Sequence, residues 1–209
     1  MVRSSLFARY SFLTTGGYAW RLTSFVPQHV PALVDKIGRD RFVQRLDGGF
    51  RISSSWCYNA PNALYWDYPV IQGNQQSMHF SWAGKPWLTQ RWNRDIVDRY
   101  YGFGGSNACL GDEDQGQRSA WFILSAVDLF QTDGGPATEP VYEIGSPLFE
   151  RVVINRGERY GRGTTFTIVA GHTSFENKYV QSATLNGKAL ETFWFPARKA
   201  AGRGAGNYG

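Results

Sequence analysis

Asp133-Gly134-Gly135-Pro136 parts two kinds of sequence, and the contrast across it decides the fold. Upstream, apolar residues recur every three or four positions, the period of a helix; downstream, short β-branched or alternating runs are separated by turn residues, as strands are. Reading back from this break, Gly116 to Phe130 is apolar on nearly every side and predicts a buried helix. Pro86 to Tyr101 puts Leu88, Trp92, Ile96 and Tyr100 on one stripe, with Arg91, Arg94, Asp95 and Asp98 facing out. Val30 to about Phe50 carries Leu33, Val34, Ile37, Val43 and Leu46 on one face. Pro31 suits its first turn, Gly38 breaks it and Gly48-Gly49 stops it. Arg51 to Ser81 reads as a long loop, and seven aromatic residues between Trp56 and Trp82 argue that it is ordered.

Reading forward, Val152-Val153-Ile154, Thr164 to Val169 and Tyr179 to Leu190 read as strands, with Asn186-Gly187 as a hairpin turn. The expected architecture is α+β: residues 1–135 helical, 136–197 a small antiparallel β unit, and 198–209 a flexible basic tail.

The 209 residues are 42% hydrophobic, enough for a sizeable core, and 16% aromatic, which suits a cleft lined with rings as sugar sites are. Three of the five net positive charges come from Arg198, Lys199 and Arg203 in an acid-free tail. Elsewhere basic and acidic residues interleave, so no nucleic-acid-binding stripe forms. No apolar run is long enough to span a bilayer, and Arg9 interrupts the apolar stretch that an export signal would need. Cys57 and Cys109 make neither a redox pair nor a zinc spacing.

Chemistry concentrates in Gly111-Asp112-Glu113-Asp114-Gln115-Gly116-Gln117, three carboxylates in a glycine-flanked loop ahead of a helix. A helix N-terminus favours negative charge, and a carboxylate kept ionised there can take a proton from water, hold a cation or simply cap the helix.

Five segments together resemble the C-terminal portion of glycoside hydrolase family 92, the calcium-dependent exo-α-mannosidases. They are Ala83 to Trp92, Arg99 to Gly102, Gly111 to Gln117 with Ser119-Ala120-Trp121, Ile144 to Phe149, and Val180 to Lys188. The resemblance implies a sector of an (α/α)6 barrel, three to four helices, ahead of the β unit. It implies inverting hydrolysis of terminal α-linked mannose, with Asp112 and Asp114 as the base-side carboxylates, a Ca2+ ion with Asn74 and Gln75 among its ligands, and a mannose-containing glycan as partner. Trp20 and Trp82 flank the would-be cleft and are the candidates for stacking on the sugar.

Departures from the family pattern bear on activity. Thr14-Thr15-Gly16-Gly17-Tyr18-Ala19-Trp20 resembles Thr-Glu-Gly-Asn-Ala-Trp, whose Glu is the general acid, and Gly16 stands in its place. Gln28-His29 replaces a His-Asp pair, and Gln75 replaces a Glu. An impaired hydrolase is the expectation, with a non-catalytic carbohydrate-binding or inert subunit as the alternative. Family members are usually exported and carry an N-terminal β-sandwich. A sector cut from a barrel leaves a helix such as Trp121 to Phe130 incompletely covered, so self-association, or a chain supplying the missing domain, is expected.

Overall fold

The computed structural model describes residues 23–54, 75–101, 117–157, 165–200 and 204–208. The helical half opens with a 3-10 turn, Pro27–His29, running into α1, Val30–Ile37. The His29 ring caps α1, its Nδ1 accepting from the Ala32 N–H at 3.2 Å. Gly38, at φ +88°, ends it, donating to the Val34 carbonyl and letting α2, Arg39–Ser54, start at a new angle. The four-residue turn α3, His79–Trp82, precedes α4, Pro86–Tyr100, and α5 is Gln117–Ala126. Two boundaries differ from the sequence reading. Gly48-Gly49 lies inside α2, whose Phe42, Leu46 and Phe50 all face the core, and the loop expected from Arg51 contains α3. Burial of three large side chains at four-residue spacing outweighs the helix-breaking cost of two glycines, about 1 kcal/mol each.

The first core gathers Val30, Val34, Phe42, Leu46, Phe50, Phe80, Trp92, Ile96 and Trp121. Phe50 stacks on Trp92 at 5.4 Å, and the Trp92 indole N–H donates to Asp47 at 2.9 Å, so the largest ring keeps its hydrogen bond. Arg94, expected on the outer face of α4, is buried instead. Its guanidinium donates to the carbonyls of Pro147 at 2.9 Å and Ser174 at 2.5 Å, tying the helix to the β half. Along α5, Trp121 is fully buried whereas Ile123 is 58% and Leu124 37% exposed, so this apolar helix is only partly covered.

The β half contains two sheets. Strand β1, Val141–Glu143, pairs antiparallel with β6, Trp194–Pro196. The larger sheet orders β2 (Arg151–Asn155), β3 (Thr165–Ala170), β7 (Gly204–Tyr208), β4 (Ala183–Leu185) and β5 (Lys188–Ala189). The molecule is thus mixed helix and small, mainly antiparallel sheets; β3 with β7 is the parallel pair. Asn186 and Gly187 take φ of +55° and +76°, the two positive angles of a tight β4–β5 hairpin. The segment expected to be a loose tail holds a short helix α6, Ala197–Ala200, and strand β7, which fills the gap between β3 and β4. Backbone pairing decides that placement, and a glycine-rich strand carries no side-chain period to announce it.

Leu129 and Phe130 are adjacent and enter different cores, Phe130 the helical one and Leu129 that of Ile144, Phe166, Ile168, Leu185 and Phe195. Just before them Asp128 takes φ +63°, and its buried carboxylate accepts from the Gly145 N–H at 2.5 Å. A Cβ on Gly145 would lie 2.9 Å from Asn93 Nδ2 and 3.1 Å from Asp128 Oδ1. Gly145→Ala is therefore expected to destabilise the protein by about 1–3 kcal/mol, read as a lower urea midpoint with an unchanged m-value.

Candidate functional site

The site is built where the two halves meet. Strand β1 delivers Glu143 to the seam because both its backbone faces are used there: its N–H donates to the Phe130 carbonyl at 2.8 Å, and it pairs with Trp194 of β6. The side chain is 2% exposed. One carboxyl oxygen accepts from the Thr132 N–H at 3.2 Å and the other from the Thr132 hydroxyl at 2.8 Å. Trp82, at the end of α3, turns its indole N–H toward the same carboxyl without closing a well-formed hydrogen bond. Its ring is fixed by Trp194, stacked at 6.4 Å and 16°, and by Phe193, edge-on at 5.1 Å. Gln75 reaches the same corner, its amide nitrogen donating to the Thr132 carbonyl at 2.5 Å.

In front of Glu143 lies a cleft of about 230 Å³, walled by Pro27, His29, Val30, Trp82 and Asp133. Since His29 Nδ1 is occupied as the α1 cap, the neutral ring carries its proton on Nε2. Burial pushes the Glu143 carboxyl up from 4.5 to about 7, opposed by the hydrogen bonds of Thr132 and by the nearby indole N–H of Trp82, and Asp133 adds to the rise. Burial likewise lifts Asp128 to about 7, with the Gly145 N–H opposing. His79, sealed inside α3, is driven down to about 3 by burial.

Of the residues singled out from sequence, Trp82 and Gln75 fall in this corner, and the structure brings them together through Thr132 and Glu143. Asp112, Asp114, Trp20, Asn74 and the acid position Gly16 lie outside the described residues. Among the described residues no group of three or more His, Cys, Asp or Glu is placed to hold a metal. The sequence reading overlooked Glu143 and Thr132. The available signal was an acid inside the otherwise apolar run Val141-Tyr142-Glu143-Ile144.

The perturbed carboxyl makes stability depend on pH. Folded, Glu143 keeps its proton up to about pH 7, and the unfolded chain releases it near 4.5. Its contribution is thus complete below 4.5 and is lost as pH rises through 7. Against Glu143→Gln, which cannot titrate, the parent should gain up to roughly 3 kcal/mol between pH 8 and pH 4.5. Urea midpoints of the two proteins across that range measure the difference. Asp128 acts in the same direction and His79 in the opposite one, so the comparison is made between single variants.

Comparison with known proteins gives this geometry its relatives. The sequence profile of the glycosyl hydrolase family 92 catalytic domain matches residues 7–205. The fold is similar to a family GH92 α-mannosidase from Bacteroides thetaiotaomicron, at 26% identity and a TM-score of 0.77, covering 93% of this chain and 24% of that one. It is similar also to a family GH92 inverting mannosidase of Bacteroides thetaiotaomicron VPI-5482, at 26% identity and 0.75, covering 93% and 27%. Among curated proteins it is similar to one described as an uncharacterized secreted glycosidase of Arthroderma benhamiae, 28% identical over 177 residues, 84% of this chain and 21% of that protein. The chain therefore spans 21–27% of the length of these relatives. Among the described residues no helix is long and apolar enough to cross a membrane. With nearly its whole length matched, this chain belongs to glycosyl hydrolase family 92.

Proposed function

We propose that this polypeptide carries the α-mannosidase chemistry of its family, inverting hydrolysis of terminal α-linked mannose, in an impaired form. The observation that supports this most directly is the family match through residues 7–205, a span that includes Asp112, Asp114 and the substituted acid position Gly16. The first of the Bacteroides thetaiotaomicron mannosidases has also been solved in complex with mannoimidazole, which makes a mannose-containing glycan the natural ligand to test. Residues 1–135 would contribute a sector of an (α/α)6 barrel and 136–197 the β unit beside it.

In this reading Asp112 and Asp114 take the proton of the attacking water as its oxygen bonds to the anomeric carbon. The leaving oxygen departs from the opposite face, and an inverting site spaces its two carboxyls by roughly 6.5–9.5 Å to admit that water. Gly16 has no proton to give the leaving oxygen, and a missing acid removes on the order of 10²–10⁴ in rate. Calcium comes to this reading from the family resemblance; among the described residues no group of three or more His, Cys, Asp or Glu is placed to hold a metal ion. The Gly16 substitution also favours a second reading, a subunit that holds a sugar without cleaving it.

Leaving-group dependence tests the proposal. An aryl α-mannoside whose phenolate leaves without protonation should be hydrolysed slowly, and an alkyl α-mannoside about 10²-fold or more slower still. Asp114→Asn should abolish both, and parallel assays with calcium and with EDTA read any metal requirement. Sugar-dependent quenching of Trp fluorescence without release of mannose would support the binding-only reading.

A further inference from the structure

The Glu143 carboxyl is buried and lines a cleft, and among the described residues no Lys or Arg lines that cleft. Among the described residues Asp133 acts on it, and repels. Among the described residues His29 is the basic side chain that lines the cleft, and Glu139, which also lines it, is paired with Arg198. A buried carboxylate is ordinarily paired, metal-bound or neutralised, because removing its charge from water without a counter-charge is costly. Thr132 supplies two hydrogen bonds and no positive charge. Burial meanwhile keeps the carboxyl on the edge of ionisation near neutrality, so an arriving cation would convert it to the charged form.

Three features define what that cation would be. The cleft, about 230 Å³, is below the roughly 300 Å³ at which drug-sized ligand sites begin, so it takes one small ring rather than a chain. One wall is Trp82, packed against Trp194 and Phe193, an aromatic surface for a ring. Its carboxylates are Glu139, paired with Arg198, and the pair Glu143 and Asp133, too few for the six or more oxygens that a hard metal ion would want. An ammonium has three N–H donors and is satisfied by such a pair with one water.

We propose that the cleft between Trp82 and Glu143 is a binding site for a single hydroxylated ring bearing a protonated amine, an amino sugar whose ammonium supplies the counter-charge that no described Lys or Arg of the cleft gives Glu143. This does not depend on hydrolysis: it assigns a ligand class to residues of which only Trp82 was a candidate from sequence.

Binding of mannosamine, N-acetylmannosamine and mannose, measured by calorimetry at pH 7 on the full chain, tests the site, because the three differ only at C2. Mannosamine should bind about tenfold or more tightly than the other two, as a charged hydrogen-bonding partner does. Glu143→Gln should erase that preference to within about twofold, and Asp133→Asn should weaken mannosamine in the same direction by less. Equal affinity for the three sugars, or no binding of mannosamine, would overturn the proposal. So would calcium binding at Glu143 in preference to the amine. If circular dichroism shows that Glu143→Gln does not fold, Asp133→Asn decides: unchanged mannosamine affinity in that variant counts against the site. A failure here leaves mannoside turnover untouched, and a failure of turnover leaves this binding intact.

Discussion

The carboxyl of Glu143 sits where two apolar cores abut, and much of the described structure is arranged to make its burial tolerable. Its own backbone pairs with Phe130 and Trp194, its side chain takes both polar groups of Thr132, and Trp82 closes one side. Next to it Ile144 donates to Phe193, and Gly145 donates to Asp128. A buried carboxyl is expensive unless it is hydrogen-bonded or neutral, and here it is hydrogen-bonded with its proton affinity raised. The constraint propagates. Thr132 must stay within reach, which fixes the turn after Phe130, and Trp82 must stay edge-on to Phe193, which fixes the end of α3 against β6.

A second tie crosses the same seam through Arg94. Two neutral carbonyls, of Pro147 and Ser174, receive its guanidinium, and burial lowers its proton affinity while Asp98 opposes. Helical and sheet halves are therefore joined by polar groups that would be costly to leave unmet, in addition to apolar contact. That arrangement specifies one relative placement more sharply than two greasy faces could.

Legibility followed the physics of each element. Helix α4 could be read because Pro86 and the Leu88–Trp92–Ile96 stripe are local, periodic signals. The Asn186-Gly187 hairpin was legible because few other residue pairs accept two positive φ angles. Arg94 was misread because periodicity places a charged residue outside and cannot see two carbonyls of a distant loop waiting for it. The glycines inside α2 and strand β7 escaped for the same reason: distant burial and pairing overrode local preference. Of the residues that line the cleft, Trp82 was named from the sequence, as a candidate for stacking on a sugar. Glu143 was not, because its meaning comes from being walled in by Trp82, Thr132 and Asp133, which lie 61, 11 and 10 positions away in the chain.

The sequence by itself determined the split at Asp133-Gly134-Gly135-Pro136, the helical and strand periods on either side, and the ordered motifs that carry family membership. These are properties of neighbouring residues, set by backbone sterics and side-chain spacing. Only the tertiary structure decided which acid is buried, which arginine is spent on carbonyls, and that a glycine-rich tail completes a sheet. Proton affinity and hydrogen-bond satisfaction depend on what surrounds a group in space, and the chain assembles those surroundings from residues far apart along its length.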